Sequence, residues 1–374
     1  MMNKADNLYI GLMSGTSADG IDLALVQFTE TGHQLKASYY QPYDAKLRQQ
    51  IQQLYTPGFN EIDLLGQLDK QLAHHFAAAI NSFLMQHNLA PEQICAIGNH
   101  GQTVRHRPEF NSPFTLQIGC NQTLACLTGI RVVGKFRDKD IALGGQGAPL
   151  VPAYHQAMFA GSEHDVIVVN IGGISNITYL PADTNKNVVG FDTGPGNALL
   201  DDWYIKHHAN AEYMMDLDGR WASDGVTNNA LLTTMLADPY FHKPYPKSSG
   251  REYFHLDWLD QQLTEQTLSP ADVQATLLSL TVESIGFAID KLTLQSQVII
   301  CGGGAHNSEM MRQLEQRLYR HNVTRADKLG IPSDSLEALV FAWLAYAFDQ
   351  RIPSNLPSVT GAQKAVPLGI NFTP

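Results

Sequence analysis

Two segments of the chain share one pattern of apolar and polar positions. In NLYIGLMSGTSADGIDLALVQF, residues 7–28, and in HDVIVVNIGGISNITYL, residues 164–180, an apolar run leads into a polar, glycine-containing tip and a second apolar run follows. Strand-length apolar runs separated by such a tip predict a β-hairpin. A hairpin loop needs about two to five residues, so the first tip carries more hydroxyl and carboxylate groups than its turn requires.

A second pair of segments extends the similarity between the two halves. ICAIGNHGQTV, residues 94–104, and VIICGGGAHNSEMMRQLEQRL, residues 298–318, each contain an apolar run that ends in a glycine-containing loop. In the later segment the loop leads into a helix, since apolar residues recur at helical spacing at Met310, Met311, Leu314 and Leu318. Each half is therefore predicted to contain a β-hairpin, a further strand, a helix, a strand and a glycine loop, which indicates duplicated domains.

Three longer segments have the apolar spacing of helices, at Glu61–Gln86, Pro270–Leu292 and Ser335–Phe348. Strands that alternate with helices in both halves predict an α/β fold. The expected domain I comprises residues 1–138 with a C-terminal segment from about 355 to 374, and the expected domain II comprises residues 139–354. In such folds, ligands bind at the carboxyl ends of the strands, in the crevice between elements or domains.

Composition narrows the class of function. The 374 residues carry a formal charge of −11 and a sequence pI of about 5.6, which argues against non-specific nucleic-acid binding. No apolar run approaches membrane-spanning length, and the N-terminal MMNKADNLYI lacks the apolar core of a signal peptide. The four cysteines show neither CxxC spacing nor disulfide density, so buried free thiols and a cytoplasmic location are expected.

The glycine tips are candidate anion sites, because a glycine-rich tip lets several backbone N–H groups converge on one phosphate. The first tip adds the hydroxyls of Ser14, Thr16 and Ser17. Its acids, Asp19 and Asp22, are suited to hold water around Mg²⁺ or to cap the turn. A structural turn is the alternative for each tip. Three glycine loops in duplicated positions favour a nucleotide site, although neither a P-loop nor a GxGxxG motif after a strand is present.

A carboxylate follows the predicted strand Val188–Phe191 in VVGFDTGPGNALLDDW. Asp192 is expected where that strand ends, and the TGPGN loop after it is expected to offer backbone N–H groups and the N-terminus of a helix that begins at Ala198. A lone carboxylate at such a point suits general-base catalysis on water or on a hydroxyl group. An Asx-turn or a helix N-cap is the alternative role.

An arginine-containing loop is a candidate for sugar binding. KFRDKDIALGGQGAPLVP, residues 135–152, combines Arg137, Asp138 and Asp140 with three glycines. An arginine beside hydrogen-bonding side chains suits a bulky polar ligand such as a sugar acid. A solvated loop between domains is the alternative.

Two other features have strong structural alternatives. Glu337 lies one turn into the third helix, where it would ordinarily act as a capping glutamate opposite Ser333 or Asp334. His100 and His106 lie six residues apart, but no cysteine or acid completes a metal-ligand set with them. No zinc site is therefore predicted.

Together these motifs resemble a known family. The segments that carry the resemblance are GLMSGTSADGID, GNHGQT, FRDKDIALGGQGAPLVP, NIGGISNIT, GFDTGPGN and CGGGAHN. In this order, and spread from residue 10 to about residue 343, they resemble the 1,6-anhydro-N-acetylmuramic acid kinases of the sugar kinase, Hsp70 and actin superfamily. The resemblance implies two ribonuclease-H-like domains, with ATP and sugar bound in an active-site cleft between them.

The resemblance also implies an unusual reaction in peptidoglycan recycling. Water attacks the anomeric carbon of a bicyclic 1,6-anhydro sugar, the bridge opens, and O6 receives the γ-phosphoryl group of ATP. The products are N-acetylmuramic acid 6-phosphate and ADP. By its motif, Asp192 would be the base that activates the water, and Glu337 would support the reaction near the sugar.

The same resemblance implies the binding residues. Those expected to hold ATP are Gly15, Thr16, Ser17, Ala18, Asp19, Gly20, Ile21 and Asp22 in the first phosphate loop, Gly172, Gly173, Asn176 and Gly194 around the second, and Gly302, Gly303, Gly304 and Asn307 beside the adenosine. Those expected to hold the sugar are Gln102, Arg137, Asp138 and Gln146. Mg²⁺ is expected to bind through phosphates and water, with no protein ligand named, and a homodimer is expected.

Three other functions are compatible with parts of this pattern. They are a kinase of the same superfamily with another sugar or carboxylate substrate, an ATP-gated binding protein, and a nucleotide-binding regulator without catalysis. GFDTGPGN argues against the first, and 374 residues leave no room for the peptide-binding domain of the second. Intact Asp192 and intact glycine tips argue against the third. One position departs from the family pattern, since Lys135 stands where the family has an acidic residue before the FR pair.

Overall fold

The structure is a computed structural model that describes residues 7–29, 32–159, 162–209, 213–263, 268–330 and 333–374. The strands are β1 Leu8–Ser14, β2 Gly20–Thr29, β3 Gly32–Pro42, β4 Ile94–Arg107, β5 Phe114–Ile118, β6 Val132–Gly134, β7 Val166–Ile171, β8 Ile174–Leu180, β9 Val189–Pro195, β10 Gln297–Cys301, β11 Asn322–Arg325 and β12 Ile370–Phe372. The α-helices are α1 Ala45–Gln53, α2 Glu61–Gln86, α3 Asn121–Thr128, α4 Asp138–Ala142, α5 Val151–Phe159, α6 Ala198–His207, α7 Arg220–Asp224, α8 Asn229–Leu236, α9 Pro239–His242, α10 Leu256–Gln262, α11 Pro270–Asp290, α12 Ser308–Arg317, α13 Leu336–Gln350 and α14 Pro357–Thr360. Short 3-10 turns lie at Pro91–Gln93, Leu217–Gly219, Gly303–His306, Ala326–Leu329 and Ser333–Ser335.

The chain forms two compact units. Unit 1 comprises Met1–Met158 with Ser335–Pro374, and unit 2 comprises Phe159–Asp334. The sequence placed the boundaries after residues 138 and 354, so both differ from those of the structure by about 20 residues. Helix α13 accounts for the second difference, because it packs on β1, β2 and β4 of unit 1.

Two glycines let α13 lie directly on the sheet of unit 1. A Cβ atom on Gly11 would lie 1.7 Å from the carbonyl oxygen of Ala338, and one on Gly98 would lie 1.9 Å from the carbonyl oxygen of Phe341. Only a residue without a side chain permits an approach this close. The position of Glu337, at the start of this helix, therefore depends on packing between segments more than 200 residues apart in the sequence.

The sheet of unit 1 has the order β12-β6-β4-β1-β2-β3, with β5 also paired to β4. Strands β1, β2 and β3 are antiparallel neighbours, whereas β4 runs parallel to β1 and to β6. The predicted helix Glu61–Gln86 is confirmed as α2, whose buried residues at spacings of three and four pack in the core of the unit: Leu68, Leu72, Phe76, Ile80 and Phe83. The loop predicted within GNHGQT is wrong, because β4 continues through it to Arg107 and pairs there with β5.

The sheet of unit 2 has the order β11-β10-β7-β8-β9. Strands β7, β8 and β9 form an antiparallel meander, and β10 runs parallel to β7 and to β11. Both predicted hairpins are confirmed, and in both units the first strand of a three-stranded antiparallel meander pairs in parallel with a later strand. Helix α11 is buried along most of its length in the core of this unit, ending at Asp290 rather than at the predicted Leu292.

All four cysteines are free thiols, as predicted. The expected burial holds only for Cys301, since Cys126 is exposed and Cys95 and Cys120 are half-buried. In the described ranges, no helix is long and apolar enough to cross a membrane.

Candidate active site

The first glycine tip, residues 15–19, presents its polar side chains to solvent. Thr16, Ser17 and Asp19 are exposed, and the Ser17 hydroxyl donates to a carboxylate oxygen of Asp19 at 2.7 Å. The backbone N–H of Ala18 donates to the carbonyl of Gly15 at 3.0 Å and closes the turn. Ala18 has a φ of +50°, although its side chain is completely buried. The buried Ala18 side chain thus anchors the tip in the core of the unit, while the hydroxyls of Thr16 and Ser17 and the carboxylate of Asp19 face water.

The other predicted ATP residues of this segment contribute in different ways. Gly20 and Ile21 are buried on β2, so neither offers a side chain to a ligand. A Cβ atom on Gly20 would lie 2.5 Å from the carbonyl oxygen of Gln41, which excludes larger residues. Asp22 is half-buried and pairs with Tyr40 across β2 and β3.

Gln102 lies beneath this tip rather than at a ligand surface. Its side chain is completely buried. Its amide oxygen accepts from the Ser14 hydroxyl at 2.6 Å, and its amide nitrogen donates to the carbonyl of Gly15 at 3.0 Å and to the Tyr55 hydroxyl at 3.2 Å. The Tyr55 hydroxyl in turn donates to the carbonyl of Thr16 at 2.7 Å. Gln102, which was predicted to bind sugar, therefore supports the backbone of the first glycine tip.

Arg137 is held by a histidine that the sequence analysis left without a role. Its Nη2 and Nε lie 2.9 and 3.3 Å from Nε2 of His100, and its Nη1 donates to the carbonyl of Gly147 at 2.8 Å. Burial and, to a smaller extent, the adjacent guanidinium together lower the pKa of His100 to about 3. His100 is therefore neutral, and Nε2 accepts from the arginine. The remaining N–H groups of the guanidinium stay available for a ligand.

Glu337 and the first tip surround this arginine electrostatically. Part of the Glu337 side chain is exposed to water, but the surrounding protein displaces enough solvent to raise the pKa of its carboxyl group above the ordinary value. The positive charge of Arg137 opposes this rise, and the negative charge of Asp19 adds to it. The helix-start residue, Ser335, has no side-chain capping bond, and no hydrogen bond to Glu337 is found in the described part of the chain. Of the two predicted capping partners, Ser333 donates its hydroxyl to Asp327 at 3.1 Å instead, and the side chain of Asp334 lies outside the described residues. The structure brings Asp19, Arg137 and Glu337 into one electrostatic group in unit 1.

Asp138 and Gln146 lie on either side of a tightly held loop. Asp138 is half-buried, and burial raises the pKa of its carboxyl group while the ammonium of Lys135 opposes the rise. Lys135, the residue that departs from the family pattern, has a φ of +60° and acts on Asp138 rather than on Arg137. Gln146 has an exposed side chain, and its backbone N–H donates to the carbonyl of Thr360 at 2.8 Å.

Asp140 holds this loop together from inside. Its completely buried carboxylate accepts from the backbone N–H of Gly147 at 2.7 Å, from the Asn355 amide at 2.7 Å and from the Thr360 hydroxyl at 2.8 Å. A Cβ atom on Gly145 would lie 2.2 Å from the same carboxylate, so the loop requires glycine there. The loop that presents Gln146 is therefore built around a buried anion.

The second glycine tip, which lies in unit 2, is the two-residue turn Gly172–Gly173, and both of its carbonyl oxygens accept hydrogen bonds from backbone N–H groups. The carbonyl of Gly172 accepts from the backbone N–H of Asn197 at 2.8 Å, and that of Gly173 accepts from Gly196 at 3.0 Å and from Ala198 at 3.1 Å. The expectation that the TGPGN loop offers these N–H groups to a ligand is therefore wrong for these three. These three hydrogen bonds hold the N-terminus of α6 against the β7–β8 hairpin.

Asp192 lies within β9, three residues before the strand ends, rather than at its end. It is the cross-strand partner of Asn176 on β8, which in turn pairs with Asn170 on β7, so three polar residues form a row across the sheet. Thr193 is an extra residue between this pair and the next one, and such a bulge re-aims neighbouring side chains.

The carboxylate of Asp192 is held by a segment that follows more than 50 residues later. The backbone N–H of Ser249 donates to its Oδ2 at 2.9 Å, and the backbone N–H of Asp192 donates to the carbonyl of Lys247 at 3.0 Å. No hydrogen bond to Oδ1 is found among the described residues. Burial raises the pKa of Asp192 to about 6, with a smaller contribution from Glu252. At neutral pH, the group is an ionised base with one oxygen free.

The third glycine loop lies beside Asn170. A Cβ atom on Gly302, whose φ is +78°, would lie 2.3 Å from the amide oxygen of Asn170, and one on Gly304 would meet the side chain of Ile171. Gly303 is exposed. Asn307 caps α12 by accepting from the backbone N–H of Met310 at 2.9 Å.

Gly194 contributes to packing rather than to a surface. It is buried, and a Cβ atom there would lie 2.7 Å from the ring of Phe241. The resemblance implies that Asn170–Asn176 is the second phosphate hairpin, but Asn170 itself is not among the predicted binding residues, although it lies in the polar row with Asn176 and Asp192. Its signal was its place at the end of the first strand of the second hairpin, immediately before the glycines.

Comparison with known proteins identifies the family. The model of the anhydro-N-acetylmuramic acid kinase family matches residues 7–374. The chain belongs to this family. A curated relative of that name from Colwellia psychrerythraea is 56% identical over 98% of this chain and 97% of its own length. One from Shewanella sediminis is 48% identical over 98% of both chains.

A solved structure of a different protein also aligns with the chain. The (R)-2-hydroxyglutaryl-CoA dehydratase component A of Acidaminococcus fermentans is 12% identical over 91% of this chain and 99% of its own, with a TM-score of 0.46. At that score the alignment adds nothing to the family assignment.

The structure also bears on the metal that kinases of this type would require. In the described ranges, no group of three or more histidines, cysteines or acids is arranged to hold a metal ion. The exposed carboxylate of Asp19 at the first tip is the group suited to hold a water molecule of a hydrated Mg²⁺.

We expect Gly302→Ala to lower the free energy of unfolding by about 2–4 kcal/mol, because the new methyl group combines an unfavourable φ with a clash against Asn170. Gly330→Ala is the matched control, since Gly330 has a similar φ of +74° with nothing near its Cβ position. The control should lose only about 1 kcal/mol. Equal losses for both variants in denaturant titrations would contradict the close approach described for Gly302.

We expect Asp192→Asn to stabilise the protein at pH 8. A folded-state pKa of about 6, above the ordinary value of 3.8, means that the ionised carboxylate disfavours the folded state once the pH exceeds both values. For a half-buried group, the gain on removing the charge is about 1–3 kcal/mol. It should shrink as the pH falls from 6 to 4, as folded-state protonation relieves the cost. A variant that is equally stable or less stable at pH 8 would show that Asp192 is not a strained base.

Proposed function

We propose that this chain is an ATP-dependent kinase that opens 1,6-anhydro-N-acetylmuramic acid with water and phosphorylates O6, giving N-acetylmuramic acid 6-phosphate and ADP. Membership of the family supports the reaction class. The observation that carries the mechanism is the half-buried carboxylate of Asp192, which has one bonded and one free oxygen and a raised pKa.

Asp192 would act as the general base. Opening the bridge with water requires removal of a proton from that water as it attacks the anomeric carbon. A carboxylate with a pKa of about 6 is ionised at pH 7 and is a stronger proton acceptor than an ordinary aspartate. The hydrogen bond from Ser249 fixes the carboxylate through Oδ2, which leaves Oδ1 to take the proton.

Arg137 and Glu337 would serve the sugar. A guanidinium that already has its orientation fixed by His100 and Gly147 can bind a sugar carboxylate with its remaining N–H groups at little further entropic cost. Glu337 has a raised pKa and a cationic neighbour. This combination suits a group that accepts a hydrogen bond from a sugar hydroxyl or exchanges a proton with it. Asp138 and Gln146 would add polar contacts from the same loop.

The first tip would hold the phosphates of ATP. Phosphoryl transfer depends mainly on positioning and on neutralising charge, which backbone N–H groups and hydroxyls supply. The buried brace made by Gln102, Ser14 and Tyr55 keeps the tip rigid before the nucleotide binds. Mg²⁺, held through water near Asp19, would neutralise the phosphate oxygens. The Gly172–Gly173 turn, Asn170, Asn176 and the loop at Gly302 would line the nucleotide on unit 2. Homodimer formation and a cytoplasmic location stay predictions.

The substrate assignment is tested by measuring ADP release with three candidate acceptors, which are 1,6-anhydro-N-acetylmuramic acid, 1,6-anhydro-N-acetylglucosamine and glucose. The account predicts that kcat/KM is highest with the first, because only it carries the carboxylate that Arg137 would bind. Arg137→Lys should raise the KM for that sugar and leave the KM for ATP within about twofold. A higher kcat/KM for either acceptor without a carboxylate would identify a kinase with another substrate.

A further inference from the structure

A small depression on unit 2 carries an unusual concentration of positive charge. It is open to solvent, has an inner volume of about 20 Å³, enough for one oxygen of a larger bound group, and lies between β9 and the last turns of α11. Three lysines line it, at Lys243, Lys247 and Lys291. Its walls include the rings of Phe191, Tyr245 and Phe287, and no carboxylate is among the lining residues described.

The three ammonium groups act on one another. Lys247 is half-buried, and its Nζ donates to the carbonyl of Tyr240 at 3.0 Å and lies 4.4 Å from the centre of that ring. Burial and, to a smaller extent, Lys291 and Lys243 together lower its pKa to about 8, while Asp192 opposes the change. In a chain with a formal charge of −11, this local excess of cations is an energetic cost that a bound anion would offset.

Ordinary surface solvation does not account for the whole cluster. Lys291 and Lys243 are exposed, and Lys291 caps the carbonyl end of α11, where a cation is favourable. Lys247 has neither advantage. It is partly withdrawn from water, next to two like charges, with a neutral carbonyl as its hydrogen-bond partner. The Tyr240 ring and the Asp192 carboxylate offset only part of this cost, since the pKa of Lys247 remains lowered. A lysine in this position is stabilised by an anion more than by water.

We propose that this depression is a site for a small phosphate-type oxyanion, with Lys243, Lys247 and Lys291 as its cationic ligands. Three point charges suit a multiply charged phosphate group better than a single carboxylate. The site is distinct from the candidate active site, but it lies next to the residues that hold Asp192 in place. Phe191 and Thr193 of the lining flank Asp192 on β9, and the carbonyl of Lys247 accepts the backbone N–H of Asp192. An anion bound there would stabilise the segment that positions the catalytic base.

The test is chemical acetylation of lysines at pH 8 in the whole protein, followed by mass spectrometry. The rate at Lys247 is compared in inorganic phosphate and in sodium chloride at equal ionic strength. Occupancy of the site predicts that phosphate slows acetylation of Lys247 by about fivefold when its concentration is several times Kd. The exposed lysines Lys46 and Lys186 are internal controls and should be unaffected.

A double variant, Lys243→Gln with Lys291→Gln, should lose the protection at Lys247 while keeping the melting temperature of the wild type, because both side chains are exposed.

A parallel series with glucose 6-phosphate distinguishes the source of the anion. Equal protection by both probes indicates free phosphate, and stronger protection by the ester indicates a phosphorylated metabolite. No protection of Lys247, uniform slowing of every lysine, or protection that persists in the double variant would overturn the proposal. None of these results depends on kinase activity.

Discussion

Asp192→Asn is expected to lower kcat for 1,6-anhydro-N-acetylmuramic acid by roughly 10²- to 10⁴-fold, the range that a general base contributes. Asparagine keeps the size of the side chain and can still accept the hydrogen bond from Ser249, but it cannot take a proton from water. The KM values for ATP and sugar should stay within a few-fold. The measurement is steady-state ADP release with purified wild type and variant.

Asp224→Asn is the matched control, since it removes one exposed carboxylate from the same unit and should leave kcat unchanged. The wild-type pH profile gives a second check. The active base is the ionised form, so kcat/KM should be nearly constant above pH 7 and should fall about tenfold per unit well below pH 6. Retention of more than about a tenth of wild-type kcat by Asp192→Asn would remove Asp192 from the role of base.

Asp140→Ala is expected to lower the free energy of unfolding of unit 1 by about 3–5 kcal/mol. The substitution leaves the backbone N–H of Gly147, the Asn355 amide and the Thr360 hydroxyl without the buried carboxylate that each now contacts. These groups hold the Arg137 loop to the C-terminal segment, so the KM for sugar should rise as well. Denaturant titration and sugar kinetics measure the two effects.

Asp44→Ala provides the comparison for this effect. Asp44 is an exposed N-cap in the same unit, and its carboxylate accepts a hydrogen bond from the backbone N–H of Leu47 at 2.8 Å. Its loss should cost only about 1 kcal/mol. If Asp140→Ala loses no more stability than Asp44→Ala, the buried carboxylate does not organise the loop.

The elements that the sequence predicted best are those with a strong local period. The two hairpins and helix α2 follow from alternation of apolar residues and from helical spacing, which are properties of short stretches of chain. The unit boundaries could not be found in this way. Helix α13 belongs to unit 1 because Gly11 and Gly98 admit it to the sheet surface, and that contact joins segments far apart in the sequence.

The same distinction between local patterns and tertiary contacts applies to the site residues. The motifs pointed to Asp192 and Arg137, whose surroundings in the structure suit the proposed roles. They did not show that Gln102 faces inwards, because its partners Ser14 and Tyr55 come from other strands and loops. Nor did they show that Asp192 is held by Ser249, more than 50 residues later. Residue types at a motif indicate the chemistry, whereas tertiary contacts decide which atoms remain free to perform it.

The central claim is that water, activated by Asp192, opens the anhydro bridge while ATP phosphorylates O6. The most direct measurement is the mass of the sugar phosphate formed by the wild type from ATP and 1,6-anhydro-N-acetylmuramic acid in water enriched in heavy oxygen. The account predicts one heavy oxygen, located at the anomeric carbon, and loss of this product with Asp192→Asn. A sugar phosphate without heavy oxygen, or one formed at the wild-type rate by the variant, would contradict it.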